Sequence, residues 1–178
     1  WSNGDPVTAH DFEYAWKKAI TPEYAQPGAF TFYPILNAAK CLQGKTSIDK
    51  VGIRALSNNV LIVQLEHPAP YFLYLTSCSS YSPINIKVDI ENEHWGNFPD
   101  KVVSNGPFAL SEWNKNSHIF LTKNLSYWDK NQVRLNGIKI FFIEDEITQF
   151  YMFEKEDLHW VGAPMTTLSR DIVKNTNI

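Results

Sequence analysis

The sequence predicts a mixed α/β or α+β fold, and three observations predict it. Phe12, Ala15, Trp16 and Ala19 recur at helical spacing. The apolar, β-branched run Val60-Leu61-Ile62-Val63-Gln64-Leu65 follows Val51 to Leu56 across the turn Ser57-Asn58-Asn59, which is a hairpin pattern. Ile138-Lys139-Ile140-Phe141-Phe142-Ile143 is the clearest strand in the chain. Helices, a hairpin and strands thus alternate, with no repeat and no low-complexity tract, and that order excludes an all-α or all-β domain.

Each element has a local reason. Asn3-Gly4-Asp5-Pro6 reads as a turn, because glycine accepts positive φ and proline fixes its own. Thr8 is the expected N-cap of a helix over 9–19, with Asp11 as a short-armed capping-box partner. Thr21-Pro22 ends that helix, and Pro27-Gly28-Ala29 breaks the chain again. A second helix is expected from Phe30 through Phe32, Tyr33, Ile35, Leu36 and Ala39 to Leu42, with Gly44 as its stop. The hairpin over 51–65 has a three-residue connection and ends at His67-Pro68-Ala69-Pro70. Tyr71 to Leu75 is expected as a short buried helix, and Ser77 to Pro83 as a polar loop of small residues. Residues 84–103, with His94-Trp95-Gly96 and Pro99, carry no clear pattern.

A second β-rich section starts at Gly106-Pro107, and Ser104 to Pro107 marks a boundary. Strands are expected at Phe108 to Leu110 and Ile119 to Leu121, joined through Asn114 to Ser117. After the strand at 138–143 come a helix from Asp145 to Phe153, with Ile147, Phe150 and Tyr151 inward, a short strand from Leu158 to Val161 and a last helix from Thr166 to Lys174.

Composition narrows the function. Sixteen basic and nineteen acidic residues give a net charge of −3, without the basic excess of a nucleic-acid surface. No apolar run reaches the length of a membrane span, and no signal peptide is visible after Trp1. The chain reads as a piece of a longer protein, with any targeting signal in the remainder. Cys41 and Cys78 are too few for a disulfide scaffold and lack metal-ligand spacing. Six Trp, eight Tyr and eleven Phe form an aromatic excess. Phe12, Trp16, Phe141, Phe142 and Phe150 lie at core periodicity. Phe30, Phe32, Tyr33, Tyr81 and Trp160 lie in or beside Pro/Gly/Ser breaks, where aromatic rings can line a ligand cleft.

Catalytic patterns are weak. His10, His67, His94, His118 and His159 show no HExxH or HxH spacing, and no cofactor or metal is implied. There is no nucleophile elbow and no P-loop. Ser77, Ser79, Ser80 and Ser82 read as turn chemistry. Glu144-Asp145-Glu146 supplies negative charge at a helix N-terminus, since adjacent helical positions do not face each other.

Several runs resemble one family in order. Trp1-Ser2-Asn3-Gly4-Asp5-Pro6-Val7-Thr8-Ala9-His10-Asp11-Phe12, followed by Tyr14 and Trp16, is similar to the W-S-D-G-x-P-V-T-A-x-D-F signature of family 5 of the bacterial solute-binding proteins, the oligopeptide-binding type of ABC transporters. Pro70-Tyr71-Phe72 resembles its P-x-P-Y-F step, and Ser104-Asn105-Gly106-Pro107-Phe108 its T/S-N-G-P-F/Y strand start. Lys123-Asn124-Leu125-Ser126-Tyr127-Trp128-Asp129 resembles its K/R-N-P-x-Y-W-D, and Phe153 to Trp160 its F-x-x-G-E-L-D-W. The physics of these runs is that of scaffold turns, caps and strand starts. Trp1, Trp16, Tyr127 and Trp128 accordingly read as scaffold.

The resemblance implies a two-lobed periplasmic-binding-protein-like fold of type II, with an extra subdomain on one lobe. The chain would hold that subdomain (1–85) and part of the adjoining lobe (86–178). It implies a non-enzymatic, monomeric protein in the periplasm or at the cell envelope, where a lipid anchor is one means of attachment. Its partners would be a short peptide ligand and an ABC transporter permease, with no nucleic acid. Main-chain hydrogen bonds would hold the peptide in the manner of strand addition, with side chains in hydrated pockets. Groups for the peptide termini lie mostly on the opposite lobe, so this chain alone is expected to bind peptide weakly or not at all.

Carried over position by position, the family's pocket aromatic after Pro27 falls on Gly28, a departure for which Phe30 could substitute. The pocket-lining place after Tyr71-Phe72 falls on Cys78, with Ser79 beside it, and Gly162-Ala163-Pro164 would run along the cleft near the hinge. Two further departures are Glu156 in place of Gly and His159 in place of Asp. Three alternatives stay open: a hydrolase using the serine loop with His67 or His94, a domain that holds partner proteins through aromatic loops, and a ligand such as nickel, haem or an opine on the same fold.

Overall fold

The structure is a computed structural model and describes residues 1–25 and 27–162. The first helix, α1 (Ala9–Ala19), has the expected bounds. Asp11 explains its start. Its Oδ2 accepts from the Thr8 N–H at 2.8 Å and the Thr8 hydroxyl at 3.1 Å, so the side chain reaches back over the first turn as a capping-box acid does. The same carboxylate accepts from the Trp1 indole at 3.4 Å and, through Oδ1, from the Ile86 N–H at 3.3 Å. A buried carboxylate is tolerated here because four donors converge on it.

The expected helix over 30–42 is not one helix. Pro27–Phe32 forms a 3₁₀ segment, and α2 covers only Ala38–Leu42. Pro34 lacks an N–H and disfavours helical geometry before it. Residues 34–36 instead turn past 64–66 with one β-bridge: Ile35 pairs with Leu65, and the Leu36 N–H donates to the Gln64 carbonyl at 2.9 Å. The stop at Gly44 is as expected. Gly44 has φ +69, its N–H donates to the Cys41 carbonyl, and the Lys45 N–H donates to the Lys40 carbonyl, both at 2.8 Å. These two bonds form a Schellman motif.

Strands β1 (Ile53–Ser57) and β2 (Val60–Val63) pair antiparallel, with the connection reduced to Asn58 and Asn59. Helix α3 (Phe72–Leu75) is short as expected but not buried: Phe72 points inward, while Leu73 and Tyr74 are 78% and 81% exposed. Residues 84–103 hold α4 (Ile86–Glu91) and two 3₁₀ turns. Strands β3 (Phe108–Asn114), β4 (His118–Lys123) and β5 (Gly137–Phe141) form an antiparallel sheet in that order. Helix α5 (Glu146–Glu154) is capped by Asp145, whose Oδ2 accepts from the Thr148 N–H at 2.7 Å.

The main core gathers α1, the 3₁₀ segment, α2, the hairpin and residues 69–81 around Trp16, Phe32, Ile35, Ile53, Phe72 and Tyr81. Phe32 and Tyr81, read as loop aromatics, are core residues instead. Phe141 and Phe142, read as core, stand partly exposed on and beside β5, as do Ile147 and Tyr151 on α5, where Phe150 alone is buried. Trp128 is 85% exposed, its ring 5.8 Å from that of Tyr127, whereas Trp1 and Trp16 are buried. Residues 158–161 form no strand, and the helix expected from Thr166 lies outside the described residues.

The signature runs meet. The Ser2 N–H donates to the Ser104 carbonyl at 2.7 Å, and the Ser104 N–H donates back to the Ser2 hydroxyl at 3.1 Å. Buried Asn124 donates from its amide to the Gly106 carbonyl and from its backbone to the Pro107 carbonyl, each at 2.9 Å. Three runs of the chain are therefore tied at two crossings, one of them by a buried amide that must find partners.

Candidate ligand-binding site

Tyr81 organises the site from below. The Trp16 indole donates to the Tyr81 carbonyl at 2.7 Å, and the Tyr81 ring lies 4.3 Å from Phe32 and 4.9 Å edge-on from Trp16. The Tyr81 hydroxyl donates to the Thr31 carbonyl at 2.8 Å. Burial, helped by the nearby Cys78 thiol, pushes that phenol up to about 12, so it stays a donor at neutral pH. Two exposed turns, Pro27–Phe32 and Ser79–Tyr81, are thus pinned to one aromatic cluster.

Above this anchor the turns touch. The Thr31 hydroxyl donates to the Gly28 carbonyl at 2.8 Å and lies 3.2 Å from the Ser80 hydroxyl. A Cβ on Gly28 would sit 3.9 Å from the Ser80 Cβ, an ordinary contact. Gly28, Phe30, Cys78 and Ser79 therefore occupy two adjacent turns, with Phe30 63% exposed and Cys78 and Ser79 exposed beside it. Thr31 and Ser80, which sequence reasoning did not single out for a site, join these candidate positions. Their signal was weak, because small hydroxyl residues in a Pro/Gly/Ser region look like turn chemistry. Gly162 is exposed, with the Trp160 indole folded over it, and no contact joins it to the other four. Ala163 and Pro164 lie outside the described residues.

The turns offer hydroxyls, peptide groups and an apolar ring, which suits recognition more than bond cleavage. Among the described residues, no histidine is hydrogen-bonded to a serine of the 77–82 loop, and the one Ser–His contact, Ser117 to His118, sits at an exposed strand junction. No group of His, Cys, Asp and Glu that could hold a metal occurs among the described residues. Cys41 and Cys78 are unpaired, and burial raises the Cys41 thiol.

An ionic cluster away from these turns fixes α4 to α1. Asp89 accepts from the Tyr14 hydroxyl at 2.6 Å, from the Lys18 ammonium and from the Trp95 indole at 2.9 Å. Burial opposes its charge, but the bonds from Lys18, Tyr14 and Trp95 prevail and hold its pKa below the ordinary value. Burial and Asp89 together push Tyr14 up to about 12.

The family model for bacterial extracellular solute-binding proteins, family 5 Middle, matches residues 1–177. The chain belongs to that family. It is 43% identical over 169 residues to the oligopeptide-binding protein OppA of Bacillus subtilis, covering 94% of this chain and 31% of the relative. It is 39% identical over 178 residues to the dipeptide-binding protein DppE of the same organism, covering 100% and 33%. Among solved structures, the substrate-binding domain of an oligopeptide ABC transporter from Bacillus anthracis superposes with a TM-score of 0.84 at 36% identity, and Listeria monocytogenes OppA bound to peptide with 0.83 at 33%. Each of these covers 89% of this chain and 31% of that structure. The family 5 chain described here thus spans about a third of its relatives' length.

Proposed function

We propose that the protein carrying this chain is the extracytoplasmic solute-binding component of a peptide ABC transporter, capturing short peptides and passing them to a membrane permease without catalysis. Family 5 membership over 1–177, together with relatives named for oligopeptide and dipeptide binding, supports the reading. The local observation that carries it is the joining of the 27–32 and 79–81 turns by the Thr31–Ser80 contact at 3.2 Å, which builds one exposed wall from residues far apart in sequence. Gly28, Phe30, Cys78 and Ser79 lie on that wall, and we assign Gly162 to Pro164 to the hinge side of the same cleft. In this reading residues 1–85 form the extra subdomain and 86–178 a part of the adjoining lobe. The protein works as a monomer at the cell envelope, in the periplasm or held by a lipid anchor.

In this reading the hydroxyls of Thr31 and Ser80 and water filling unused space serve main-chain recognition, which permits many peptide sequences. Titration calorimetry of the full-length protein tests the proposal. Mixed short peptides should give binding heat, and free nickel, haem and opines should not. No heat with any peptide overturns it.

A further inference from the structure

An open groove of about 920 Å³ lies between α1 and α4 and shares no lining residue with the wall formed by the 27–32 and 79–81 turns. Its volume reaches the upper end of the roughly 300–1,000 Å³ of small-molecule sites, and its open form suits a segment of another protein. Ile48, Ile86, Ile90 and Tyr24 give it apolar surface. Ile90 and Tyr24 are 71% and 43% exposed, and neither belongs to the main core. The charges of the groove are unequal. Four carboxylates line it (Glu13, Asp89, Glu91 and Glu93) against two ammoniums, Lys17 and Lys18. Both ammoniums are engaged inside the groove: Lys17 lies 2.6 Å from Glu13, and Lys18 bonds Asp89. Exposed Glu91 and Glu93 are left without an ammonium, with the His94 imidazole 3.8 Å from Glu93 and His10 on the α1 side. The Asp89 bonds to Tyr14 and Lys18 hold the two helices in place, so a partner meets a surface already ordered.

We propose that this groove docks a basic segment of the membrane permease that carries an apolar side chain between its cations. The inference rests on the transporter reading and deepens it by naming the surface. Charge complementarity selects the occupant. A second copy of this chain would bring the same two carboxylates to a self-complementary contact, at a net charge of −3 per chain, and repulsion opposes it. Nucleic acid and an anionic bilayer are repelled in the same way. A cationic protein surface is attracted, and the permease is the protein partner that the transporter reading requires. Its apolar side chain covers Ile90 and Tyr24, and the lysines or arginines beside it meet Glu91 and Glu93 at the rim. Because the groove and the wall use different residues, the protein docks with peptide in place.

The experiment uses the full-length protein and its peptide permease complex in nanodiscs of zwitterionic lipid. Permease binding is read by biolayer interferometry at low and high salt, and peptide binding by calorimetry. The double variant Glu91→Lys/Glu93→Lys should bind the permease about tenfold more weakly than wild type and lose most of the salt dependence, while binding peptide and melting as wild type does. Ile90→Ser should weaken permease binding about threefold through the lost apolar contact. The control Glu154→Lys/Asp157→Lys changes the net charge equally at exposed positions outside the groove and should stay within about twofold of wild type. Permease binding that neither groove variant weakens, or that the control weakens as much, overturns the inference while leaving peptide binding intact. A wild-type dimer in sedimentation that the Glu91 and Glu93 reversal dissociates gives the groove to a second copy and overturns it too. Wild type that binds no peptide overturns the transporter reading and the inference with it.

Discussion

Replacing Glu156 by glycine should stabilise the protein. Glu156 has φ +63 and follows the C-cap of α5. Its N–H donates to the Phe153 carbonyl at 3.0 Å, and the Asp157 N–H donates to the Met152 carbonyl at 2.9 Å. This is the same Schellman geometry that Gly44 makes after α2, with an L-residue in the left-handed position. The left-handed conformation costs such a residue about 1–2 kcal/mol. Glycine returns part of that by loosening the unfolded chain, about 0.4–1 kcal/mol. The Glu156 charge also opposes the negative end of the α5 dipole, worth at least about 0.3 kcal/mol at an exposed site. The net gain for Glu156→Gly is about 1 kcal/mol, or a melting shift of about 2–4 °C for a chain of this size.

The control is Gly44→Ala. A Cβ there meets nothing within 4 Å, so only backbone strain acts, and stability should fall by about 0.5–1 kcal/mol. Urea denaturation followed by tryptophan fluorescence reads both. If Glu156→Gly is neutral or destabilising while Gly44→Ala destabilises, the reasoning about this cap is refuted.

Asp89→Asn should cost about 2–3 kcal/mol in the same assay, because the half-buried Lys18 ammonium loses its ionic acceptor. The wild-type contribution of Asp89 is full above the ordinary carboxylate pKa of 3.8 and is lost as pH falls through the lower folded value, so acid titration of the Asn variant should show a shallower loss below pH 3.8. Tyr14 behaves oppositely: its pKa is raised from 10.0 to about 12, so its contribution is full below pH 10.0 and is lost as pH rises toward about 12. Tyr14→Phe should remove that alkaline step and cost about 1.5 kcal/mol at neutral pH, as measured by denaturation. Tyr81→Ala should cost about 3–5 kcal/mol by opening the aromatic cluster, and should weaken peptide binding through the loss of its bond to Thr31.

Much of the fold was legible where local chemistry agrees with tertiary packing. The α1 bounds follow from Thr8, Asp11 and the spacing of Ala15 and Trp16, and the two hairpins follow from apolar runs, β-branched in the first, split by polar turns. The helix expected over 30–42 failed because the apolar spacing around Pro34 mimics a helical face, while Ile35 and Leu36 in fact pair with residues 64 and 65. Partners so distant in sequence leave no periodic mark. Phe32 and Tyr81 stayed open between cleft and core for the same reason: lying beside chain breaks does not tell which way a ring points. For the site, the family resemblance indicated Gly28, Phe30, Cys78 and Ser79. Thr31 and Ser80 became visible only through the contact that joins the turns. Glu156 shows the converse, since its departure from the family's glycine was legible and the structure supplies its cost.

The central claim is that the 27–32 and 79–81 turns form one wall of a peptide site. The most direct measurement is titration calorimetry of one short peptide into full-length wild type and Gly28→Trp. A Cβ on Gly28 meets only the Ser80 Cβ, at 3.9 Å, so the backbone accepts a side chain there; the melting temperature of the variant is checked against wild type, and its indole is placed to cover the wall. The account predicts peptide binding by wild type and at least tenfold weaker binding by the variant, a loss of roughly 1.4 kcal/mol. Equal affinity in the two proteins would contradict it.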